Sequence, residues 1–182
     1  MKRILSLAAI SLLVVSSPVQ GQEGSGDGLE LSVSQVEGAA TSQEFLLALD
    51  NVGKEDRVVN LGMMLANGKA LYPTAVQLII TDESGTRRTL VLRGPAGIAG
   101  RVDDYVVPLK AGSTYSFRVT LNDYWSPSTP EWNVVLPRGT YHVMRRYVGQ
   151  GAKFINADTE GMKLLALWEG ELESKPLEFS IR

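Results

Sequence analysis

Apolar residues recur at every second position through much of the chain, in stretches too short for long helices. Leu29, Leu31 and Val33 alternate with Glu30, Ser32 and Ser34, the pattern of a strand with one face in a core and the other in water. Residues 43–49 are more evenly apolar. An exposed charged loop at 54–57 precedes a strand over 58–65, and Asn67 with Gly68 marks a hairpin-type turn. Residues 76–81 form an apolar strand, which Asp82, Glu83, Ser84 and Gly85 turn back into 86–92, the clearest hairpin in the sequence. Further strands are predicted over 105–109, 114–121, 139–148, 162–168 and 177–181. No stretch beyond residue 21 sustains helical periodicity, so the pattern predicts an all-β antiparallel sandwich rather than alternating strands and helices.

The strand at 139–148 reads as the central one. Pro137, Arg138 and Gly139 make a turn, after which Tyr141, Val143, Arg145 and Tyr147 share one face, with Tyr141 and Val143 directed inward. Tyr141 two residues after Gly139 predicts a tyrosine corner, in which the ring packs in the core and the hydroxyl returns to backbone just upstream. On that basis Tyr141→Phe is expected to cost more stability than Tyr147→Phe. The basic pairs Arg87 with Arg88 and Arg145 with Arg146 are assigned solvated or edge positions, because neighbours on a strand point to opposite faces.

The first residues add a compartment. Lys2 and Arg3 precede an apolar run over 4–15 and then small residues up to Gly21, the order of an export signal cut before Gln22. The apolar run is about a dozen residues, short of the roughly 20 that a membrane-spanning helix needs. The expectation is therefore a signal peptide at 1–21, a short Gly- and acid-rich flexible lead at 22–28, one domain over 29–182, a periplasmic or extracellular location, and no membrane insertion of the mature chain. Removing Lys2 and Arg3 from the 18 basic residues leaves 16 against 20 acidic, a net charge of −4. Nucleic acid is not an expected partner for such a surface. With no cysteine in the chain, disulfides, thiolate chemistry and a cysteine lipid anchor are excluded, and stability must come from the core.

Three segments carry a resemblance. LKAGSTYSFRV (109–119), LPRGTYHVMRRY (136–147) and LWEGELESKPLEFSI (167–181) resemble the last strand regions of exported bacterial immunoglobulin-like sandwiches. They are also similar to the BsuPI-type proteinase inhibitor domain. The resemblance implies an immunoglobulin-like fold acting as a non-enzymatic binding or accessory module. Val143 stands where an antibody-type domain has its second cysteine, so the similarity is to cysteine-free members. The inhibitor alternative implies that the loop at 93–104 or at 122–131 is presented to a protease.

Candidate chemistry is sparse. His142, the single histidine, faces outward on its strand, and no serine sits in a G-x-S-x-G elbow, so no catalytic residue is assigned. Asn156, Asp158, Glu160 and Gly161 resemble the first half of a calcium loop, but Leu167 occupies the position that requires a bidentate Glu, and a solvated loop is expected. Gly94, Gly97 and Gly100 lack the following Gly-Lys-Ser/Thr of a phosphate cradle. No metal or cofactor is expected.

Tyr124, Trp125 and Trp132 flank a Ser- and Pro-rich loop and are the candidate partner-binding residues, offering apolar area with a polar edge to a protein or a glycan. The alternative is that they cap the sandwich. Trp132, which shares a strand face with Val134 and Leu136, is assigned to capping, and Trp125 to an exposed platform.

Overall fold

The alternating pattern folds as the periodicity predicts, into antiparallel strands that bury one face. The computed structural model describes residues 22–26, 28–36, 43–65, 68–93, 101–129, 134–151, 153 and 166–182. The strands are β1 (Gln22–Gly26), β2 (Leu29–Gln35), β3 (Glu44–Asn51), β4 (Arg57–Leu65), β5 (Ala70–Tyr72), β6 (Val76–Asp82), β7 (Arg87–Leu92), β8 (Val102–Leu109), β9 (Thr114–Thr120), β10 (Tyr124–Trp125), β11 (Gly139–Gly149), β12 (Gly170–Glu173) and β13 (Leu177–Ile181). They form three sheets, ordered β1-β2-β3-β9, β10-β7-β6-β11 and β5-β4-β8. β12 and β13 lie one after the other along the far edge of β11, pairing with its second and first halves respectively. The expected export segment, 1–21, lies outside the described residues.

Leu29, Leu31 and Val33 from β2 and Phe45, Leu47 and Leu49 from β3 are fully buried, and they face Val76, Leu78, Leu90, Val143 and Tyr147 of the second sheet. Each such side chain contributes about 1.5–3 kcal/mol when taken out of water. Phe179 on β13 joins the two layers, meeting Phe45 edge-on at 5.2 Å and stacking on Tyr141 at 5.6 Å. The all-β antiparallel sandwich is thus the observed architecture.

The hairpin predicted at 82–85 is present between β6 and β7. The Asp82 carboxylate accepts from the backbone N–H of Ser84 and of Thr86, both at 2.9 Å, and Gly85 takes a left-handed φ of 83° that an L side chain would resist. These bonds, with the Ser84 hydroxyl first among them, hold the Asp82 carboxyl below its usual range.

Several elements depart from the expectation. The segment expected to be a flexible lead contains β1, which pairs with β2 from Gln22 opposite Val33 to Gly26 opposite Leu29. Ladder hydrogen bonds use backbone alone, so a Gly-rich composition does not exclude an edge strand. The strand expected to end at Trp168 is, within its described residues, a single parallel bridge between Leu167 and Val58.

Trp168 stacks on Tyr147 at 5.6 Å. A Cβ on Gly149 would lie 2.5 Å from the Trp168 ring, so this glycine is where the ring comes against the strand.

The corner is present. The Tyr141 hydroxyl donates to the Pro137 carbonyl at 2.8 Å, four residues upstream. Tyr147 departs from the expectation of a minor role, since its hydroxyl donates to the Asn60 carbonyl at 3.1 Å in a fully buried position. Loss of either hydroxyl leaves a carbonyl without its partner, at about 1–3 kcal/mol. The expected order is therefore reversed: Tyr147→Phe should lower the urea midpoint at least as much as Tyr141→Phe, and equilibrium unfolding of the two variants checks it.

Candidate functional site

The inner face of the first sheet is incompletely covered at one edge. On β9, Tyr115, Phe117 and Val119 lie opposite Leu49, Leu47 and Phe45 of β3 and so share their inward face. The β3 residues are fully buried, whereas Tyr115 and Phe117 are only half-buried. Among the described strands, β9 ends the first sheet, β10 the second and β8 the third. The space left where these edges meet is a cleft of about 520 Å³.

Aromatic rings form much of its wall. Tyr105 on β8 meets Tyr115 edge-on at 6.3 Å, and Tyr115 lies 6.1 Å from Phe117. The Tyr105 and Tyr115 hydroxyls are hydrogen-bonded to each other. Burial, followed by that bond, pushes the Tyr105 hydroxyl well above its usual range, so it stays protonated and able to donate. Tyr72 on β5 and Leu92 at the end of β7 complete the apolar lining, with Arg118 and Asn122 at the exposed rim.

Behind Phe117 lies an unusual cation. The register places Arg145 on β11 opposite Leu78, and Leu78 opposite Leu90, in one inward row of the second sheet. The Arg145 side chain is 0% exposed, and none of its three guanidinium nitrogens has a hydrogen-bond partner among the described residues. Its central carbon lies 5.2 Å from the Phe117 ring centroid, a cation–π contact.

Burial pushes the guanidinium down to about 10, against the pull of Tyr124, Tyr147 and Asp50, so it keeps its charge at neutral pH. The Arg145 backbone is fixed as well. Its N–H donates to the Ser174 hydroxyl at 2.9 Å, and its carbonyl accepts from the Ser174 N–H at 2.9 Å, in the gap between β12 and β13. The assignment of Arg145 to a solvated or edge position is therefore corrected. Its alternation with Tyr141, Val143 and Tyr147 turns it inward.

The candidate contact aromatics are separated. A 3₁₀ turn at Leu121–Asp123 leads into β10, where Tyr124 pairs with Leu92 and Trp125 with Val91. Adjacent strand residues point to opposite faces, so Tyr124 enters the core, 0% exposed, and Trp125 sits half-buried on the other face. Tyr124 therefore lies in the core and not on an exposed loop platform.

Its hydroxyl has no hydrogen-bond partner among the described residues, and burial pushes it well above its usual range despite the opposing Arg145 charge. Trp132 lies outside the described residues. So do 94–100 of the glycine-rich loop, 130–131 of the second inhibitory-loop candidate, and the calcium-like 156–161.

No protein-family model matches the chain, and no curated protein matches it. The remaining sequence candidates have structural surroundings of their own. His142 is half-exposed, 3.6 Å from Glu178, on the outer face of β11. Asp103 pairs with Arg101 at 2.7 Å.

Asp104 is buried. It accepts from the Asn60 amide at 2.8 Å and from the Lys153 backbone N–H at 3.0 Å, and so supports a β-bulge in β4. Sequence reasoning did not assemble the cleft, because its residues come from β5, β7, β8 and β9 and are brought together only by the sheet edges.

Proposed function

We propose that the chain is an exported, non-enzymatic binding module of immunoglobulin-like type, and that its ligand enters the aromatic cleft between β5, β8 and β9. The observation that carries this reading is the half-burial of Tyr115 and Phe117, two inward-facing aromatics that the opposing layers leave partly uncovered. Large apolar rings left open to water favour a partner that covers them. The cleft volume of about 520 Å³ falls within the roughly 300–1,000 Å³ usual for small-molecule sites. Export is supported by the basic and apolar order of the first 21 residues.

The test fills the cleft. Leu71 lines it and is 46% exposed, so Leu71→Trp adds bulk at the mouth without opening a core cavity. The neutral dye Nile red should bind the wild type with enhanced fluorescence. Leu71→Trp should weaken that binding about tenfold or more while stability stays within roughly 0.5 kcal/mol. Unchanged dye binding in the variant would place the ligand elsewhere.

A further inference from the structure

We infer that the cleft takes an amphipathic carboxylate, its apolar body lying against Tyr115 and Phe117 and its carboxylate reaching the buried guanidinium of Arg145 and the hydroxyl of Tyr124. This rests on the cleft being the binding site and adds the chemistry of what it binds.

Among the described residues, Arg145 and Tyr124 are buried groups with hydrogen-bonding capacity left unused. Arg145 is fully buried with all three guanidinium nitrogens unpartnered, and Tyr124 is fully buried with its hydroxyl unpartnered. An isolated buried cation is costly, and buried cations are ordinarily matched by an anion and by hydrogen bonds. The nearby groups that favour the Arg145 charge are Tyr124, Tyr147 and Asp50. The Tyr147 hydroxyl is committed to Asn60, and the Asp50 carboxylate accepts from Thr114. An anion is therefore the missing partner.

The route to it is the cleft. Phe117 lines the cleft and also carries the Arg145 cation against its ring at 5.2 Å, so this one side chain is shared by the cleft and the charge. Tyr124 sits directly opposite Leu92, which also lines the cleft. Rotation of the half-buried Phe117 ring would open the guanidinium to a ligand already seated along Tyr115. A planar carboxylate suits the arginine fork, since two parallel N–H···O bonds can form at once, and Tyr124 can donate a third. The apolar lining selects a hydrocarbon or aromatic body over a free inorganic anion.

Titration calorimetry of the full chain with sodium octanoate and with 1-octanol separates the possibilities, because the two share an apolar body and differ in charge. Octanoate should bind about tenfold or more tighter than octanol to the wild type, the usual value of a charge-assisted hydrogen bond. In Arg145→Met the two probes should bind with affinities within about threefold, with octanol affinity close to that in the wild type. Equal binding of both probes to the wild type would overturn the role of Arg145 and leave the cleft standing. Binding of neither would overturn the cleft itself, and the carboxylate assignment with it. The wild-type comparison can overturn the assignment even if Arg145→Met does not fold, because equal binding of the two probes would mean that no cation in the cleft meets the carboxylate.

Discussion

Replacing Arg145 by methionine is expected to raise the stability of the ligand-free fold by about 1–4 kcal/mol. Most core substitutions destabilise, so the sign of this effect is diagnostic. The wild-type side chain brings a charge into a fully buried row beside Leu78, which in turn lies opposite Leu90, and finds no hydrogen-bond partner among the described residues. Its cation–π contact with Phe117 returns about 2 kcal/mol, against the several kcal/mol that an unpaired ion costs after the protein has relaxed. Methionine keeps an unbranched apolar stem and adapts to irregular space, so the exchange removes the charge without leaving a large void. For a domain of this size each kcal/mol corresponds to about 2–4 °C in Tm. Thermal unfolding of the two proteins without ligand measures it. A lower Tm for Arg145→Met would mean that the guanidinium is compensated within the fold, and the case for a missing anion would lapse.

The second large effect is expected at Gly62, where Gly62→Ala should cost on the order of 4 kcal/mol from backbone strain and overpacking together. The bulge in β4 sets Leu61 and Gly62 against the single residue Tyr105, and Gly62 has a φ of 141°, which L side chains rarely adopt. A Cβ there would lie 2.5 Å from the Tyr72 carbonyl oxygen and 2.5 Å from the Thr74 backbone nitrogen. Neither backbone atom can rotate away. The bulge also directs Asn60 to Asp104, and Tyr72 and Tyr105 on the adjoining strands line the cleft. Gly62→Ala should accordingly lower the urea midpoint and weaken Nile red binding together. A midpoint near that of wild type would mean that the strand relaxes around the added methyl group.

The legible parts of the fold are those where side chains alternate under one buried layer. β2 and β11 carry that pattern, β6 and β7 are marked instead by the turn between them, and Tyr141 two residues after Gly139 was enough to foresee a hydroxyl returning to Pro137. β1 was missed because a strand can be held at a sheet edge by backbone bonds alone, and β10 and β12 because a few residues are too short a window for any period.

Arg145 shows a conflict between two rules. Strand parity placed it on the inward face with Tyr141, Val143 and Tyr147, while its charge argued for solvent, and parity prevailed. That conflict was the one sign of the candidate site in the sequence, since a charged residue held inward by its strand breaks the local pattern where function tends to lie. The cleft left no such mark. Tyr72, Tyr105, Tyr115 and Phe117 each read as an ordinary strand aromatic, and only the meeting of sheet edges brings them together around one cleft.

The most direct test of the cleft as the binding site is a ¹³C–¹H aromatic NMR titration of the wild-type chain with octanoate. Ligand entry between β5, β8 and β9 predicts that the ring resonances of Tyr105, Tyr115 and Phe117 move with one saturation curve, while those of Tyr141 and Phe179, packed together elsewhere in the core, stay in place. Saturable binding that leaves the Tyr115 and Phe117 rings unperturbed, or no binding at all, would contradict it.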